Sequence, residues 1–401
     1  MENIKLSLAI ITQYYPPENA TRFSDMSKYL KNSFNIQIVS AHPTFPFGAF
    51  GRNWKLKTIT NINNINVTNL WTWQPKSHNP NFISKMAYYL IFSLHSTLWV
   101  ILNSKKFDVI ITTSPPIFVH LSGIFAKYLC NKPWIVDVRD LWIDAAVSLG
   151  FIKQYSILDK ISRKFEKFYY SKSNRICVTT NLQKEKILQE YETISKDKIA
   201  IIPNGVDCKT FYPISQKKKN QIIYLGNVGY AYDLEKLVLS FKYIDKNYNL
   251  KLLIVGDGEL KEHLVDVVKE NNLGDNIIFT GQIRRDQIPN MISESRLGVA
   301  PIKDLEKLEY IIPIKVYEYM ACSIPFIACG GVEINNIAEK SKAGIVIKND
   351  SLTIAQTIMN LINDQQKIKK MGENGREYVK NNYDRKLIAD NLKELIVNIY
   401  K

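Results

Sequence analysis

The chain has 401 residues, of which 46% are hydrophobic and 23% are charged, and this composition is typical of globular proteins and not of disordered ones. A chain of this length is expected to form two to three domains, each with its own core. The five cysteines form no CxxC pair and the five histidines are scattered, which indicates a reducing compartment and argues against a disulfide framework or a zinc site.

The formal charge of +15 is unevenly distributed along the chain. Residues 1–196 carry a net charge of +12 and residues 197–401 a net charge of +3. The first half is therefore expected to face an acidic partner, either nucleic acid, an anionic membrane leaflet or a phosphorylated substrate. A general lysine bias that serves solubility would explain the same excess. The first residues lead directly into an apolar run without a basic region and cleavage site, so no signal peptide is expected.

Short apolar runs alternate with helical patterns along the whole chain. The predicted strands are residues 6–12, 35–40, 67–71, 108–112, 134–138, 175–179, 221–225, 251–255, 277–280, 298–301, 326–328 and 344–347. Amphipathic helices are predicted at residues 23–31, 117–129, 155–172, 234–243, 259–269 and 352–362. This alternation predicts parallel sheets covered on both faces. We expect two Rossmann-like domains, residues 1–197 and 198–383, joined near the Pro203-Asn204-Gly205 turn.

Residues 82–102 are long enough to cross a membrane. Lys85 and several serine, histidine and threonine residues interrupt the apolar run, and polar groups at the centre of a span are costly. We therefore expect a helix of the first domain that touches lipid at one end at most.

Ligands of parallel sheets bind beyond the carboxyl ends of the strands. Distinctive polar segments follow predicted strands at residues 14–22, 114–116, 137–142, 226–229 and 256–259. Residues 226–229 lack the third glycine of a dinucleotide fingerprint, so a plain tight turn explains them equally well. Arg139 and Asp140 are either functional groups at a strand end or a structural ion pair.

A further segment contains Pro313, which is suited to the first turn of a helix. Lys315 and Glu318 lie three residues apart and share one face of that helix. A lysine beside a helix N-terminus suits a phosphate, and a carboxylate one turn later suits a pair of sugar hydroxyls. Together they indicate a nucleotide site, although a solvated helix start would have the same sequence.

In combination these segments resemble glycosyltransferase family 4, and most closely its bacterial branch that builds O-antigen, capsule and exopolysaccharide sugars. The resemblance extends over nearly the full chain. It rests on Tyr14-Tyr15-Pro16-Pro17-Glu18, Ile201-Ile202-Pro203-Asn204-Gly205-Val206-Asp207, Tyr224-Leu225-Gly226-Asn227-Val228-Gly229, Val255-Gly256-Asp257-Gly258, Phe279-Thr280-Gly281 and Lys315-Val316-Tyr317-Glu318-Tyr319-Met320-Ala321-Cys322. It implies an α/β GT-B fold, in which the parallel sheets of two Rossmann-like domains face an interdomain cleft. It also implies that a last helix within residues 384–401 packs back on the first domain.

The resemblance further implies a metal-independent transfer, without a cofactor, that retains the anomeric configuration of a nucleotide-sugar donor. Glu318 matches the family glutamate that holds the ribose, while its usual partner is replaced by Tyr310. The other donor-binding residues implied are Ile314, Lys315, Gly226, Asn227, Gly229, Ile283, Arg284, Asn19 and Ala20, with Arg285 an alternative to Arg284. The catalytic groups implied are Lys315, which takes charge on the leaving phosphate, and Arg139 with Asp140, which replace the family histidine.

The acceptor side is expected to use the basic first half. Residues 152–168 place an apolar stripe at helical spacing between lysine and arginine residues, which is the usual pattern of core packing but also that of a membrane-surface helix. Residues 44–55 form an aromatic and basic loop. The predicted acceptor or membrane contacts are Phe47, Arg52, Trp54, Arg163, Lys164 and Lys167. We expect a polyprenyl-diphosphate-linked acceptor and a cytoplasmic protein bound peripherally to the anionic inner face of the cell membrane.

Two other classes of function remain open from the sequence. A nucleotide-sugar epimerase of GT-B fold would share the donor but need no acceptor. A basic nucleic-acid-binding protein would explain the charge, but the chain has no RNP-like aromatic motif and no zinc finger, so no nucleic-acid partner is expected.

Overall fold

The computed structural model describes residues 5–18, 21–78, 80–214 and 217–400. The chain divides into two compact units. Unit 1 comprises Met1–Asn204 together with Lys386–Lys401, and unit 2 comprises Gly205–Arg385. The division falls a few residues after the boundary that the sequence predicts.

The elements follow one another in the expected alternation. The strands are β1 (Ser7–Thr12), β2 (Asn35–Ala41), β3 (Lys57–Ile62), β4 (Ile65–Leu70), β5 (Val109–Ser114), β6 (Trp134–Val138), β7 (Arg175–Val178), β8 (Ile199–Ile201), β9 (Gln221–Leu225), β10 (Lys251–Val255), β11 (Ile277–Gly281), β12 (Leu297–Pro301), β13 (Phe326–Cys329) and β14 (Gly344–Ile347). The α-helices are α1 (Thr21–Leu30), α2 (Phe82–Asn103), α3 (His120–Cys130), α4 (Trp142–Ser148), α5 (Ile157–Lys172), α6 (Asn181–Glu190), α7 (Leu234–Ser240), α8 (Lys261–Glu270), α9 (Ile288–Glu294), α10 (Ile314–Ala321), α11 (Val332–Ser341), α12 (Ser351–Ile362), α13 (Gln365–Asn382) and α14 (Arg385–Tyr400).

The sheet of unit 1 has the strand order β3-β4-β2-β1-β5-β6-β7-β8, and only the β3–β4 pair is antiparallel. One face is covered by α1 and α14, whose apolar residues join a core with side chains from β1, β2 and β5. The helix α3 packs on β5 and β6 and contacts both α2 and α5. Right-handed connections from β4 to β5, β5 to β6 and β6 to β7 are expected to place these helices on the face opposite α1. The carboxyl ends of β1, β2, β4, β5 and β6 therefore meet at one edge of this sheet.

The sheet of unit 2 is fully parallel, with the order β11-β10-β9-β12-β13-β14. Apolar residues form a core on each of its two faces, and α10 contributes to one of them. The predicted α/β class with two parallel-dominated sheets is confirmed. The prediction missed β3 and β8, because β3 is an exposed edge strand rich in polar residues and β8 has only 3 residues.

The helix α2 has 22 residues and a largely apolar sequence. Within the described residues, the segment Phe82–Lys106 is the one helix that could cross a membrane by its length and composition. Of its most apolar 18-residue stretch, 39% is buried inside the protein. Its polar face packs on α3, where the hydroxyls of Ser96 and Ser122 form a hydrogen bond of 2.8 Å. Its other face leaves a row of apolar side chains exposed, namely Ile83, Leu90, Leu94, Leu98 and Leu102. Of the polar residues that interrupt the apolar run, Ser96 and Thr97 thus face α3, whereas His95 contacts the Trp71 carbonyl oxygen at 3.0 Å.

Candidate active site

Lys315 occupies an enclosed aromatic environment at the start of α10. The helix begins directly after Pro313, as predicted, and the Lys315 residue is only 5% exposed. Its Nζ atom lies 3.9 Å from the centre of the Tyr224 ring and 3.7 Å from that of Tyr232. Within the described part of the chain, Nζ has no hydrogen-bond partner. We refer to Lys315 and the two tyrosines as the Lys315 cage.

The electrostatics of the cage favour an anion. Burial lowers the pKa of Lys315 well below its ordinary value, and the nearby carboxylate of Glu318 opposes this shift only in part. The negative faces of the two rings stabilise the ammonium, but they do not replace a counter-ion. A buried cation without a hydrogen-bonded anion is costly, so an incoming anion that reaches Nζ gains an unusually strong charge-assisted hydrogen bond.

The backbone beside the cage is exposed at Gly226, which follows β9. Its φ of +114° lies in the region that favours glycine, and a Cβ there would lie 3.5 Å from Cε and 3.6 Å from Nζ of Lys315. Gly256 follows the neighbouring strand β10 with a φ of +141°, and a Cβ there would lie only 1.9 Å from the Gly226 carbonyl oxygen. Glycine at both positions therefore allows two strand ends to approach closely and leaves backbone next to the ammonium.

Asn227 and Gly229, both predicted donor contacts, form the turn that supports the cage. The Tyr224 hydroxyl donates to the Asn227 carbonyl oxygen at 2.6 Å, which fixes one ring of the cage. A Cβ at Gly229 would lie 2.4 Å from the Asn227 Nδ2 atom, so the side chain of Asn227 folds over that glycine. Gly226 is therefore the residue of this turn that lies directly against Lys315.

Glu318 lies one turn after Lys315 and is 7% exposed. Arg285 Nη1 donates to Glu318 Oε1 at 3.2 Å, and the Arg285 guanidinium lies 4.8 Å from the centre of the Phe211 ring. The predicted contact Arg284 instead forms an exposed ion pair with Asp286 at 2.7 Å. The structure thus places Arg285, and not Arg284, beside the predicted ribose carboxylate. Of the other predicted donor contacts, Ile283 and Ile314 are half-buried.

Unit 1 contains a buried ion pair that the sequence analysis overlooked. Arg22 donates to Asp137 at 2.6 Å, and both side chains are almost fully buried. Arg22 also donates to the carbonyl oxygens of Ile202 and Pro203, while Asp137 accepts from the Thr113 hydroxyl. The pair links segments from four parts of the chain, which no local sequence pattern could indicate. Its full set of partners marks it as structural.

Arg139 and Asp140, predicted as catalytic, lie at the end of β6. Arg139 donates to the carbonyl oxygens of Ser114 at 3.1 Å and Pro115 at 3.1 Å, so it ties together two strand ends. Burial lowers the pKa of Arg139. Burial also raises the pKa of Asp140, and the charges of Arg139 and Arg22 oppose that shift. A carboxyl group with a raised pKa is better suited to exchange a proton near neutral pH.

Glu18 joins two loops at the same edge of the sheet. Its carboxyl group accepts hydrogen bonds from the backbone N–H groups of Tyr15 at 3.2 Å, Thr44 at 2.8 Å and Phe45 at 2.6 Å. Burial nevertheless raises its pKa to about 8, against the opposing effect of these donors. The predicted phosphate contacts Asn19 and Ala20, which follow directly, lie outside the described residues.

Two predicted acceptor or membrane contacts need correction. Phe47 is only 5% exposed, because its ring packs edge-on against those of Phe45 and Tyr88. Arg163 forms ion pairs with Asp144, Asp159 and Glu190, so it holds α5 in place and does not face a partner. Aromatic and basic character alone did not distinguish surface contacts from structural ones.

The helix α5 has part of the predicted apolar stripe on the outside, whereas Ile152 before the helix is buried and Phe165 packs on Tyr169. Its inward residues include Asp159, Ser162 and Glu166, whereas Ile161 is 60% exposed. The other exposed residues of this face, together with Tyr155 just before the helix, are apolar or basic, namely Tyr155, Ile157, Leu158, Lys160, Lys164, Lys167 and Phe168. We call this set the α5 face. Core packing, the usual meaning of such a stripe, is excluded for these residues.

Within the described residues, no group of three or more histidine, cysteine, aspartate or glutamate side chains is close enough together to hold a metal ion.

Comparison with known proteins identifies relatives along the chain. The profile of Glycosyltransferase Family 4 matches residues 66–210, and that of Glycosyl transferases group 1 matches residues 211–378. An uncharacterised glycosyltransferase of Methanocaldococcus jannaschii is 22% identical over 99% of this chain and 98% of its own length. The Escherichia coli UDP-Gal:alpha-D-GlcNAc-diphosphoundecaprenol alpha-1,3-galactosyltransferase is 24% identical over 76% of this chain and 78% of its own.

Among solved structures, Anabaena HepE in complex with UDP and glucose superposes with a TM-score of 0.73 at 13% sequence identity. The match covers 98% of this chain and 99% of that one. At this identity the likeness concerns the fold.

Proposed function

The chain belongs to glycosyltransferase family 4 and is a glycosyltransferase of GT-B fold, and we propose that it moves a sugar from a UDP-sugar to a lipid-linked saccharide. The observation that carries the donor half of this proposal is the Lys315 cage. It offers a buried ammonium, for which the described residues provide no hydrogen-bond partner, beside exposed backbone at Gly226 and at the carboxyl end of a parallel sheet. A diphosphate would supply a hydrogen-bonded anion for this ammonium.

We propose that Glu318 binds the ribose of the donor. The Glu318 carboxylate can accept hydrogen bonds from two adjacent hydroxyls, and the pairing with Arg285 orients it. The spacing of Lys315 and Glu318 on one helix face matches the order of phosphate and ribose in a nucleotide. The uracil base is proposed because the solved relative from Anabaena carries UDP and the relative from Escherichia coli is named for a UDP-sugar.

In the proposed reaction, these contacts stabilise the leaving group. The bond between the anomeric carbon and the diphosphate oxygen breaks, and Lys315 stabilises the negative charge that develops on that oxygen. The acceptor hydroxyl attacks from the same side, forms the new glycosidic bond with retention, and gives its proton to the departing diphosphate. The charge on the leaving group is met by the ammonium and by backbone N–H groups, so the proposed reaction uses no metal ion and no cofactor.

The acceptor half rests on the α5 face and the relatives. Exposed apolar side chains between lysines suit the interfacial region of an anionic membrane, and each lysine near the surface contributes about 1 kcal/mol. The helix α2, which carries the exposed apolar row, packs on α3, and α3 also contacts α5. We assign both to peripheral attachment at the inner face of the cell membrane, where a diphosphate-linked polyprenyl saccharide such as the one named for the Escherichia coli relative is presented.

A thermal-stability screen tests the donor proposal directly. The wild-type protein is heated with UDP-, GDP- and ADP-sugars, beside a Lys315→Met variant and a Lys269→Met control on an exposed lysine of α8. We expect UDP-sugars to raise the melting temperature of the wild type and of the control, and not that of Lys315→Met. Stabilisation by none of the three classes, or equal stabilisation of Lys315→Met, would contradict the proposal.

A further inference from the structure

A pocket walled by tryptophan rings lies in unit 1, between the segment before β3 and the segment after β4. It is a narrow surface crevice lined by Arg52, Trp54, Trp71, Thr72, Trp73 and Gln74 and encloses no cavity of its own, so a ligand would lie against its solvent-facing rim. Trp54 is 65% exposed, which is unusual for so large an apolar side chain. We refer to this feature as the tryptophan pocket.

The tryptophan pocket is held rigidly by hydrogen bonds. The buried Gln74 side chain accepts from the Asn53 N–H at 2.8 Å and donates to the Asn53 carbonyl oxygen at 2.8 Å. Arg52 Nε donates to the Gln74 carbonyl oxygen at 2.8 Å, and Trp73 Nε1 donates to the Ser84 hydroxyl at 2.7 Å. The loop that carries Arg52 and Trp54 is therefore fixed to the segment after β4 before any ligand arrives.

The Arg52 guanidinium lies over two of the tryptophan rings. The Arg52 Cζ atom lies 4.8 Å from the centre of the Trp73 ring and 5.6 Å from that of Trp54. Trp54 and Trp71 stack at 6.4 Å between ring centres with an angle of 28°. The contacts with the rings orient the guanidinium but leave the N–H donors of Nη1 and Nη2 available for hydrogen bonds.

Several hydrogen-bond donors of the pocket are left without a partner. Within the described residues, Nη1 and Nη2 of Arg52 and the indole nitrogens of Trp54 and Trp71 have no hydrogen-bond partner, whereas the Thr72 hydroxyl already donates to the Tyr88 carbonyl oxygen at 2.6 Å. The complementary ligand has a flat apolar face for the indoles and acceptor oxygens around its rim. A pyranose ring has both, because one face presents C–H groups and its hydroxyl, ring or acetamido oxygens accept hydrogen bonds.

We propose that the tryptophan pocket binds a pyranose ring of the saccharide acceptor. The pocket follows β4, whose carboxyl end lies at the same sheet edge as the Glu18-linked loops after β1 and β2. It therefore lies on the side of the unit 1 sheet where ligands of such folds bind. The role as an acceptor subsite rests on the proposed glycosyl transfer, but saccharide binding by the pocket does not.

Ligand-observed saturation-transfer NMR tests the pocket without any transfer reaction. The probes are glucose, galactose, N-acetylglucosamine and glucuronic acid with their disaccharides, each mixed with wild type, Trp54→Ala, Arg52→Ala or a Tyr128→Ala control. Trp54 and Tyr128 are both exposed aromatic residues of unit 1, so both variants are expected to keep the fold, which circular dichroism checks.

We expect at least one probe to bind the wild type and Tyr128→Ala equally, and to bind Trp54→Ala and Arg52→Ala about fivefold to tenfold more weakly. The inference is overturned if no probe binds the wild type, or if binding persists undiminished in Trp54→Ala. It is also overturned if phosphatidylglycerol vesicles, and no saccharide, change the indole fluorescence that Trp54→Ala removes, since Trp54 would then be a membrane contact.

The failure of this inference and that of the proposed function give different results. If the donor proposal is wrong, Lys315→Met leaves UDP-sugar stabilisation unchanged while saccharide binding at Trp54 persists. If the tryptophan pocket is not a saccharide site, donor stabilisation remains sensitive to Lys315 and the saccharide signals are insensitive to Trp54.

Discussion

The ammonium of Lys315 lies 3.7 Å from the centre of the Tyr232 ring, in a setting where the described residues provide no hydrogen-bond acceptor for it. A lysine whose only task was stability would be expected to reach a carboxylate or solvent, because burial of an unpaired charge is costly. The arrangement instead keeps a cation ready for an anion that arrives later. The buried ammonium of Lys315 therefore lowers the stability of the fold at a position where the proposed function needs a cation.

The first prediction concerns the stability of Lys315→Met. Methionine has a similar length and no charge, so it fills the cage without the desolvation cost of the ammonium. We expect the free energy of unfolding, measured by urea titration without ligand, to rise by about 1–3 kcal/mol. The control Lys269→Met, on an exposed lysine, is expected to be nearly neutral. A clear loss of stability in Lys315→Met would show that the ammonium has a partner and would contradict the cage as an empty anion site.

The second prediction concerns the ribose contact of Glu318. Glu318→Gln preserves the shape of the side chain but replaces charge-assisted hydrogen bonds by neutral ones. Titration calorimetry is expected to show UDP binding about tenfold weaker in this variant. The affinity for 2′,3′-dideoxy-UDP, which lacks both hydroxyls, is expected to change little, as is the UDP affinity of the exposed control Glu262→Gln. If both nucleotides lose affinity equally, Glu318 acts through the fold and not through the ribose.

The sequence predicted those residues of this site that are close to one another along the chain, and it did not predict those that come from distant segments. Lys315 and Glu318 lie in one helix whose start is marked by Pro313, so a sequence pattern revealed them. Tyr232 and Arg285 reach α10 from other elements, and no spacing in the sequence connects them to it. The same limit explains why Arg284 was predicted in place of Arg285. The two arginines are adjacent in sequence, and only the three-dimensional structure shows that Arg284 faces solvent and Arg285 faces Glu318.

The third prediction concerns pH and Glu18. In the folded protein Glu18 holds its proton up to a pKa of about 8, whereas its ordinary pKa is 4.5. Between these values the unfolded chain binds fewer protons than the folded one, so the stability contribution of the protonated group declines as the pH rises. We expect the stability difference between wild type and Glu18→Gln to shift against the wild type by about 1 kcal/mol per pH unit over this range. A difference that stays constant across the range in urea titrations would contradict the raised pKa.

The fourth prediction concerns the α5 face. The triple change Lys160→Gln, Lys164→Gln and Lys167→Gln is expected to weaken sedimentation with phosphatidylglycerol vesicles by about 100-fold at low salt, because each lysine contributes about 1 kcal/mol. Phe168→Ser is expected to weaken binding with little dependence on salt, since it removes apolar contact and not charge. Arg163 is left unchanged in these variants because its ion pairs hold the helix.

The matched control for the α5 face is a triple change of exposed lysines in unit 2, Lys246→Gln, Lys269→Gln and Lys370→Gln. It removes the same net charge from the protein. If this control loses vesicle binding to the same extent, the attraction reflects total charge, and the assignment of the α5 face to the membrane is wrong.

The α5 face also shows what periodicity leaves undecided. The spacing of Leu158, Ile161 and Phe168 predicted the helix and its apolar stripe correctly, but two orientations of the stripe were possible. The orientation is determined by the inward groups: Asp159 is paired with Arg163, and Glu166 accepts from the Tyr191 hydroxyl at 2.6 Å. These partners come from outside the apolar stripe, so the stripe alone could not indicate that polar groups occupy the inside.

The most direct test of the central claim, that the Lys315 cage holds the diphosphate of the donor, is a calorimetric comparison of UDP with uridine. We expect Lys315→Met to lower the UDP affinity by about 10-fold to 100-fold, as removal of a charge-assisted hydrogen bond predicts, and to leave uridine binding unchanged. Equal binding of UDP by wild type and Lys315→Met, or an equal loss of UDP and uridine, would contradict the account.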